Sequence, residues 1–298
     1  MKIRKKRRLR TISCGANPQH FDRSQIGIYL YLVPICVMMG LPILFIFVNA
    51  FKPLDELFAY PPRFFVRNPT FDNFSNLFAL TGSSNIPVTR YLFNSIIITV
   101  ITVIVSVLSS VAAGFALSKK RFKIRNTLFH INTIALMFVS VSVSIPRYFV
   151  IVYSGLYNNF LVNILPLLCM PVGLFLIKQF IDQIPDSLIE AAVIDGAGDF
   201  TIMRRIIIPM AKPAISTVAI LAFQSAWNAS EASSLYITDE SLKSFAFFMS
   251  TLSSTAGNSV AGKGIGAASA LIMFLPNLIV FIVLQSRVMN TMAHSGMK

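Results

Sequence analysis

Charge is what this chain has least of. Only 13% of its residues are Asp, Glu, Lys or Arg, against 55% hydrophobic residues and a mean hydropathy of +0.68. A water-soluble protein of this length needs more polar surface, so a pair of ordinary soluble domains is excluded. The charges are also clustered, leaving uncharged windows over 24–51, 91–118, 126–146, 148–177, 213–230 and 264–286. All but the fifth, at 18 residues, reach the roughly 20 residues a helix needs to cross a hydrocarbon layer about 30 Å thick. The composition predicts an all-α polytopic membrane protein with six transmembrane helices.

Other scarcities remove whole classes of chemistry. Cys14, Cys36 and Cys169 are an odd, scattered set without metal-ligand spacing, so neither a disulfide framework nor a metal site is expected. His20, His130 and His294 lie far apart, and His130, within the third window, reads as a structural hydrogen-bonding group. A proton-driven carrier moves a coupling charge within the bilayer, and no Asp, Glu, Lys or Arg reads as buried in a span. With no convergent acids, bases or nucleophiles, the chain has no catalytic residues and is not an enzyme. The run GNSVAGKG at 257–264 follows a phosphate-loop pattern until Gly264 replaces the Ser or Thr that would hold magnesium. No strand precedes it, and its glycines read as a flexible entry to the sixth span.

What the chain does have is positive charge, +14 net. The basic residues flank apolar segments instead of interleaving with aromatics, so they report membrane topology and not nucleic acid. Lys2 to Arg10 precede the first span, and Lys119, Lys120, Arg121, Lys123 and Arg125 follow the second. With both clusters cytoplasmic, inside segments hold 19 Lys/Arg and 6 Asp/Glu, and outside segments 7 and 6. Both termini are therefore expected in the cytoplasm. Residues 1–23 form a basic tail held near anionic lipid, 24–287 the membrane domain, and 288–298 a C-terminal tail. Val48, Asn49 and Ala50 mimic a signal cleavage site, but the apolar run before them is far longer than a cleaved signal uses. The fourth window is long enough to begin with an external turn at Tyr157 and Asn158. The first external segment, 52–90, is too rich in Pro to be one helix. The second, 231–263, is rich in Ser, Thr and Gly, and reads either as an approach site for an external partner or as a solvated connection.

The most informative stretch is 182–213, DQIPDSLIEAAVIDGAGDFTIMRRIIIPMAKP. Pro185 suits a helix start, and Asp186 and Glu190 suit the positive end of its dipole. Ala191 and Ala192 keep one face narrow, and Gly196 permits the sharp turn that ends the helix. Asp199 or its neighbour is placed to cap a second helix, with Phe200, Met203 and Ile207 on one face and Pro209 ending or kinking it. This is a two-helix cytoplasmic knob. Its alanines permit close approach, and Glu190 or Asp195 can pair with an Arg on a partner; a plain helical hairpin on the membrane surface stays open as the alternative.

Glu190, Ala191 and Ala192, then Gly196, then Ile206 to Pro209 resemble the EAA loop of the membrane-spanning permeases of ABC-type importers. Only Ile208 departs, conservatively, from that loop's ending. Asn49 through Phe65, Thr70, Asn73, Phe74, Asn94, Ser95, Trp227 and Asn228 extend the likeness to the carbohydrate subgroup similar to the maltose permease. The resemblance implies a permease in the bacterial cytoplasmic membrane that pairs with a second permease. It also implies two cytoplasmic ATPase subunits, which bind ATP and magnesium and dock through Glu190, Ala191, Ala192, Asp195, Gly196, Ile206 and Pro209. An extracytoplasmic binding protein then delivers a sugar. The permease itself would carry no cofactor. After Asn228 the chain reads ASEASSLY, where the subgroup continues with an acidic residue and bulky apolar groups, and its last residues lack the usual glycine-rich ending. A non-sugar solute, or a carrier or channel working without an ATPase, are the alternatives.

A sugar path needs hydrogen bonds and an aromatic face. Gln224, Trp227, Asn228 and Glu231 recur at three- and four-residue steps and so are expected on one face of the fifth span. They either line the path or, as Trp at a membrane interface and Asn or Gln between helices commonly do, serve the bundle itself. Ser140, Ser142 and Ser144 alternate and read as helix packing.

Overall fold

The structure, a computed structural model, describes residues 26–61, 63–81, 86–256 and 260–295; side chains at 80–81, 255–256, 260–261 and 286–295 are not described. The 1–23 tail lies outside the described residues. The chain is helical throughout, and no strand occurs among the described residues.

Helix α1 (Ile26–Ala50) is apolar on every side and meets the rest of the protein through its last turns, where Asn49 and Ala50 are buried. The small triplet that mimics a cleavage site is thus packed away. The first external segment follows, with α2 (Asp72–Thr81) closing it. Helix α3 (Val88–Lys119) is a 32-residue crossing, and its N-cap is Pro87. Two short helices, α4 (Arg125–Ala135) and α5 (Ser144–Tyr153), flank an irregular turn where a continuous third crossing is expected. Neither, at 11 and 10 residues, is long enough to cross alone. His130 is exposed on α4 and makes no hydrogen bond among the described residues, so it has no structural role of the kind expected.

A turn carrying Asn158 at φ 55° then leads into a 23-residue crossing, Phe160–Asp182, whose main part is α6 (Pro171–Asp182). Helix α7 (Asp186–Ile194) and the helical stretch Asp199–Met210 form the expected two-helix hairpin. Helix α8 (Lys212–Trp227) turns 82° away from that stretch. A second external segment, α9 (Phe245–Ala256) and α10 (Val260–Ser295) complete the chain. Helix α10 continues through residues 288–295, where a tail is expected. Among the described residues four helices are long and apolar enough to cross a membrane, or five if the bent pair is one span.

Helices α3, α6 and α8 pack together at the centre. The half of the core nearest the hairpin joins Val111, Phe115, Ile177, Ile181 and Val218 to Ile184, Ile202 and Ile207. The outer half joins Ala50, Leu77, Tyr91, Trp227, Phe248 and Leu271. One close approach fixes a glycine. The Asn73 amide, 2% exposed, donates to the carbonyls of Asn49, Ala50 and Lys52 at 3.3, 3.0 and 2.8 Å, closing the end of α1. A Cβ at Gly264 would lie only 2.4 Å from Asn73 Oδ1. Gly264 therefore sits inside α10 to admit that amide and is not part of a flexible entry; residues 257–259 of the glycine-rich run lie outside the described residues.

Candidate functional site

The hairpin is built outward from a fixed base. Three consecutive residues at the end of α3 hold it. Ser118 Oγ donates to Asp182 at 2.6 Å. Lys119 Nζ donates to the Ile184 carbonyl at 2.6 Å and to Asp186 at 2.7 Å, its side chain only 7% exposed. Lys120 pairs with Asp199 at 2.5 Å. Lys178 also pairs with Asp182, at 2.6 Å, and lies over the Phe129 ring, so a charge does sit near the cytoplasmic end of a span, neutralised by its neighbour. The basic cluster after the second span, read in the sequence for topology, is thus the hairpin's mounting. Lys119 and the nearby Arg121 and Arg125 hold the Asp186 carboxyl below the usual carboxylate range, the Lys119 hydrogen bond contributing most.

Pro185 is the N-cap of α7 and Asp195 its C-cap. Gly196 follows at φ +78°, a backbone that side-chain-bearing residues rarely adopt, with open space where a Cβ would point. The cap expected at Asp199 or its neighbour falls on Gly198, and Asp199 is occupied by Lys120. Residues Met203–Ile207 form a π turn, in which the Ile208 N–H reaches the Met203 carbonyl. That turn breaks the expected face. Ile202 and Ile207, five residues apart, are buried at 1% and 0%, while Phe200 is 70% exposed and does not share Ile207's side. Burying two isoleucines contributes about 1.5–3 kcal/mol each to seating the hairpin.

The residues expected to dock a partner separate into two sets. Glu190, Ala191, Asp195, Gly196 and Pro209 are exposed. Ala192 and Ile206 instead turn inward and pack on the core, so they seat the hairpin and do not present a surface. Neither Glu190 nor Asp195 has an ion pair among the described residues. Beside them stand exposed apolar groups absent from the expected set: Leu188, Val193, Ile194 at 85% and Phe200. A nine-residue helix that is apolar on nearly every side was the signal for these, since it cannot bury all of them. The result is a rigidly mounted knob with an acidic and apolar outer face.

The fifth-span residues do not share a face. Trp227 is 6% exposed; its indole N–H donates to the Met273 carbonyl at 3.2 Å, and its ring stacks on Phe223. It joins α8 to α10. Gln224 is exposed, and its carbonyl accepts from the Asn228 side chain at 2.8 Å. Helix α8 ends at Trp227, so Asn228 and Glu231 stand at a break, where they line a cavity of about 750 Å³. Ser140, Arg147, Ser225, Ser230, Pro166 and Tyr236 also line it, placing Ser140 on the cavity and not in helix packing. Arg147 is the residue sequence reasoning missed; it pairs with Glu231 across 84 positions of chain.

The outer ends are tied by amides. Asn94 donates to the Ser241 and Lys243 carbonyls at 2.8 and 2.9 Å, Ser95 Oγ accepts from the Phe245 N–H, and Asn163 donates to the Leu242 carbonyl. Asn158 Oδ1 accepts from the Thr238 and Asp239 N–H groups. The 231–244 segment is docked on the helix ends and is not a solvated connection.

The described residues thus form a bundle of apolar helices, several long enough to cross a membrane, that carries a mounted two-helix knob. Residues 106–286 match the family described as the binding-protein-dependent transport system inner membrane component, and the chain belongs to that family. It is thus a multi-pass inner-membrane component of a transporter that works with an ATPase and a solute-binding protein, and not an enzyme. A putative ABC transporter permease of Caldicellulosiruptor is 32% identical, covering 67% of this chain and 71% of the relative. The arabinooligosaccharides permease of Bacillus subtilis is 26% identical over 95% and 98% of the two chains. The diacetylchitobiose uptake permease of Streptomyces coelicolor is 26% identical over 93% and 99%. A crystal structure of a bacterial ABC transporter involved in import of the acidic polysaccharide alginate contains a chain of the same fold. Its TM-score is 0.73 at 22% identity, covering 90% of this chain and 99% of that one.

Proposed function

We propose that this chain conducts a sugar or oligosaccharide across the cytoplasmic membrane, driven by an ATPase docked on the 186–210 hairpin. The observation that carries the reading is the hairpin itself. Its base is locked to α3 and α6, and its outer face leaves Glu190, Asp195, Ile194 and Phe200 exposed. A force applied to such a face moves the crossing helices and is not lost in a loose loop. The two oligosaccharide relatives support a carbohydrate solute.

ATP and its magnesium belong to the ATPase, one copy on each permease, and the second permease is a paralogue of this chain. Helices α4 and α5 together make the remaining crossing as a broken span, which gives six and leaves both termini in the cytoplasm. The solute passes Asn228 and Glu231 at the break after α8. Co-expression with the ATPase and partner permease, followed by purification in mild detergent, tests the docking. Wild type retains the ATPase, and Glu190→Lys loses it with an unchanged melting temperature. An ATPase that stays on that variant would count against the hairpin as the dock.

A further inference from the structure

The 750 Å³ cavity is lined by two charged side chains, and they face each other. Arg147, on α5, stands 3.4 and 3.5 Å from the two Glu231 oxygens, on the short helix Glu231–Leu235. The pair spans both broken segments. It is long for an ion pair and only partly covered, with side chains 30% and 48% exposed. A guanidinium has five N–H donors and a carboxylate four acceptor positions, so most of this capacity is open toward the cavity. Tyr236 lines the same cavity; it is 1% exposed and its hydroxyl has no hydrogen-bond partner among the described residues. A buried hydroxyl left unmatched is unfavourable until a donor or acceptor reaches it. Asn228, Ser225 and Ser230 add neutral polar groups.

We infer that this cavity is a subsite for an uncharged sugar ring, with Arg147, Glu231 and Tyr236 as its specificity-determining residues. Adjacent ring hydroxyls suit the pair: one donates to Glu231 while the next accepts from Arg147, and a third satisfies Tyr236. An acidic sugar does not suit it. Its carboxylate must compete with Glu231 for the one cation in the lining, and it is repelled by Glu231 at close range. The inference rests on the importer reading and narrows its substrate to neutral glycosides.

The test uses the purified permease and ATPase complex without its binding protein, whose own selectivity would mask the subsite. Saturation-transfer NMR compares a panel of neutral trisaccharides with trigalacturonate. Wild type favours a neutral member by at least tenfold. Glu231→Gln, which frees Arg147, shifts the ratio at least tenfold toward trigalacturonate, and Tyr236→Phe weakens neutral binding while the ATPase stays attached. Equal binding of both classes by wild type, binding of neither, or an unchanged ratio in Glu231→Gln overturns the subsite. Because ATPase retention is read in the same preparation, a wild type that lacks the ATPase would instead sink the importer reading.

Discussion

The two ends of the bundle are fastened by different chemistry. At the hairpin end, Lys119 and Lys120 reach across 67 and 79 positions of chain to Asp186 and Asp199, and those carboxylates are largely exposed. At the outer end, Asn73, Asn94 and Asn163 are buried at 2%, 3% and 3% and bind backbone carbonyls. Ion pairs occur there too, but Glu240–Lys243 is local and Arg147–Glu231 faces the cavity. Buried neutral amides resist breaking because each carbonyl they release stays buried and unmatched. Exposed ion pairs are individually weak and are replaced by water and counterions at little cost. The outer end is therefore closed by buried amides, whereas the hairpin end is seated by the largely covered Lys119 side chain and by buried Ile202 and Ile207, with the exposed Lys120–Asp199 pair the one strut there that water readily replaces.

The sharpest way to break that contrast is to crowd the outer closure. Gly264→Val would drive a side chain into Asn73 and release three carbonyls, which should destabilise the protein by about 3 kcal/mol. Thermal unfolding in detergent measures it; a loss under about 1 kcal/mol would mean that the closure is soft.

A smaller effect on stability, with a distinct effect on work, is expected at the mounting. Lys120→Asp should change stability by only about 0.5 kcal/mol, since both partners are substantially exposed. Solute carried per ATP hydrolysed should nevertheless fall, and the exchange of Lys120→Asp with Asp199→Lys should restore it. If the single variant transports normally, the strut carries no load.

The smallest effect is on acidification. The folded Asp186 carboxyl titrates below its unfolded value, so its contribution is present above the ordinary carboxylate pKa and is lost as pH falls through the lowered one. Hydrogen exchange around residues 186–199 should rise below about pH 4. Asp239, held low by the Ser241 N–H, also titrates at the outer end, but Asn94 and Asn163 do not. Amides that they protect should exchange later; simultaneous loosening of both ends would erase the distinction.

Much of the architecture was legible because charge depletion marks spans and because Pro185, Gly196 and Pro209 punctuate a hairpin. The third span misled because its window gives composition and not continuity, and the irregular turn at 136–143 carries no charge to reveal it. The π turn was invisible, since Met203 to Ile207 suit an ordinary helix equally well, and it moved Phe200 outward. Gly264 read as flexible because the amide it admits lies far away in sequence. Trp227 read as a sugar platform because its helix was taken to be uninterrupted, whereas its indole is committed to Met273. Lys119 and Lys120 were read for topology, which was a sufficient reason for their charge and hid their second use.

The central claim is that the hairpin receives force from a separate motor. Reconstitution into vesicles tests it most directly, by comparing the full complex with this chain and its partner permease alone, with ATP supplied on the hairpin side. The account predicts that solute accumulates only when the ATPase is present and hydrolysing ATP, and that Glu190→Lys abolishes accumulation. Uphill uptake by the permeases without an ATPase would contradict it.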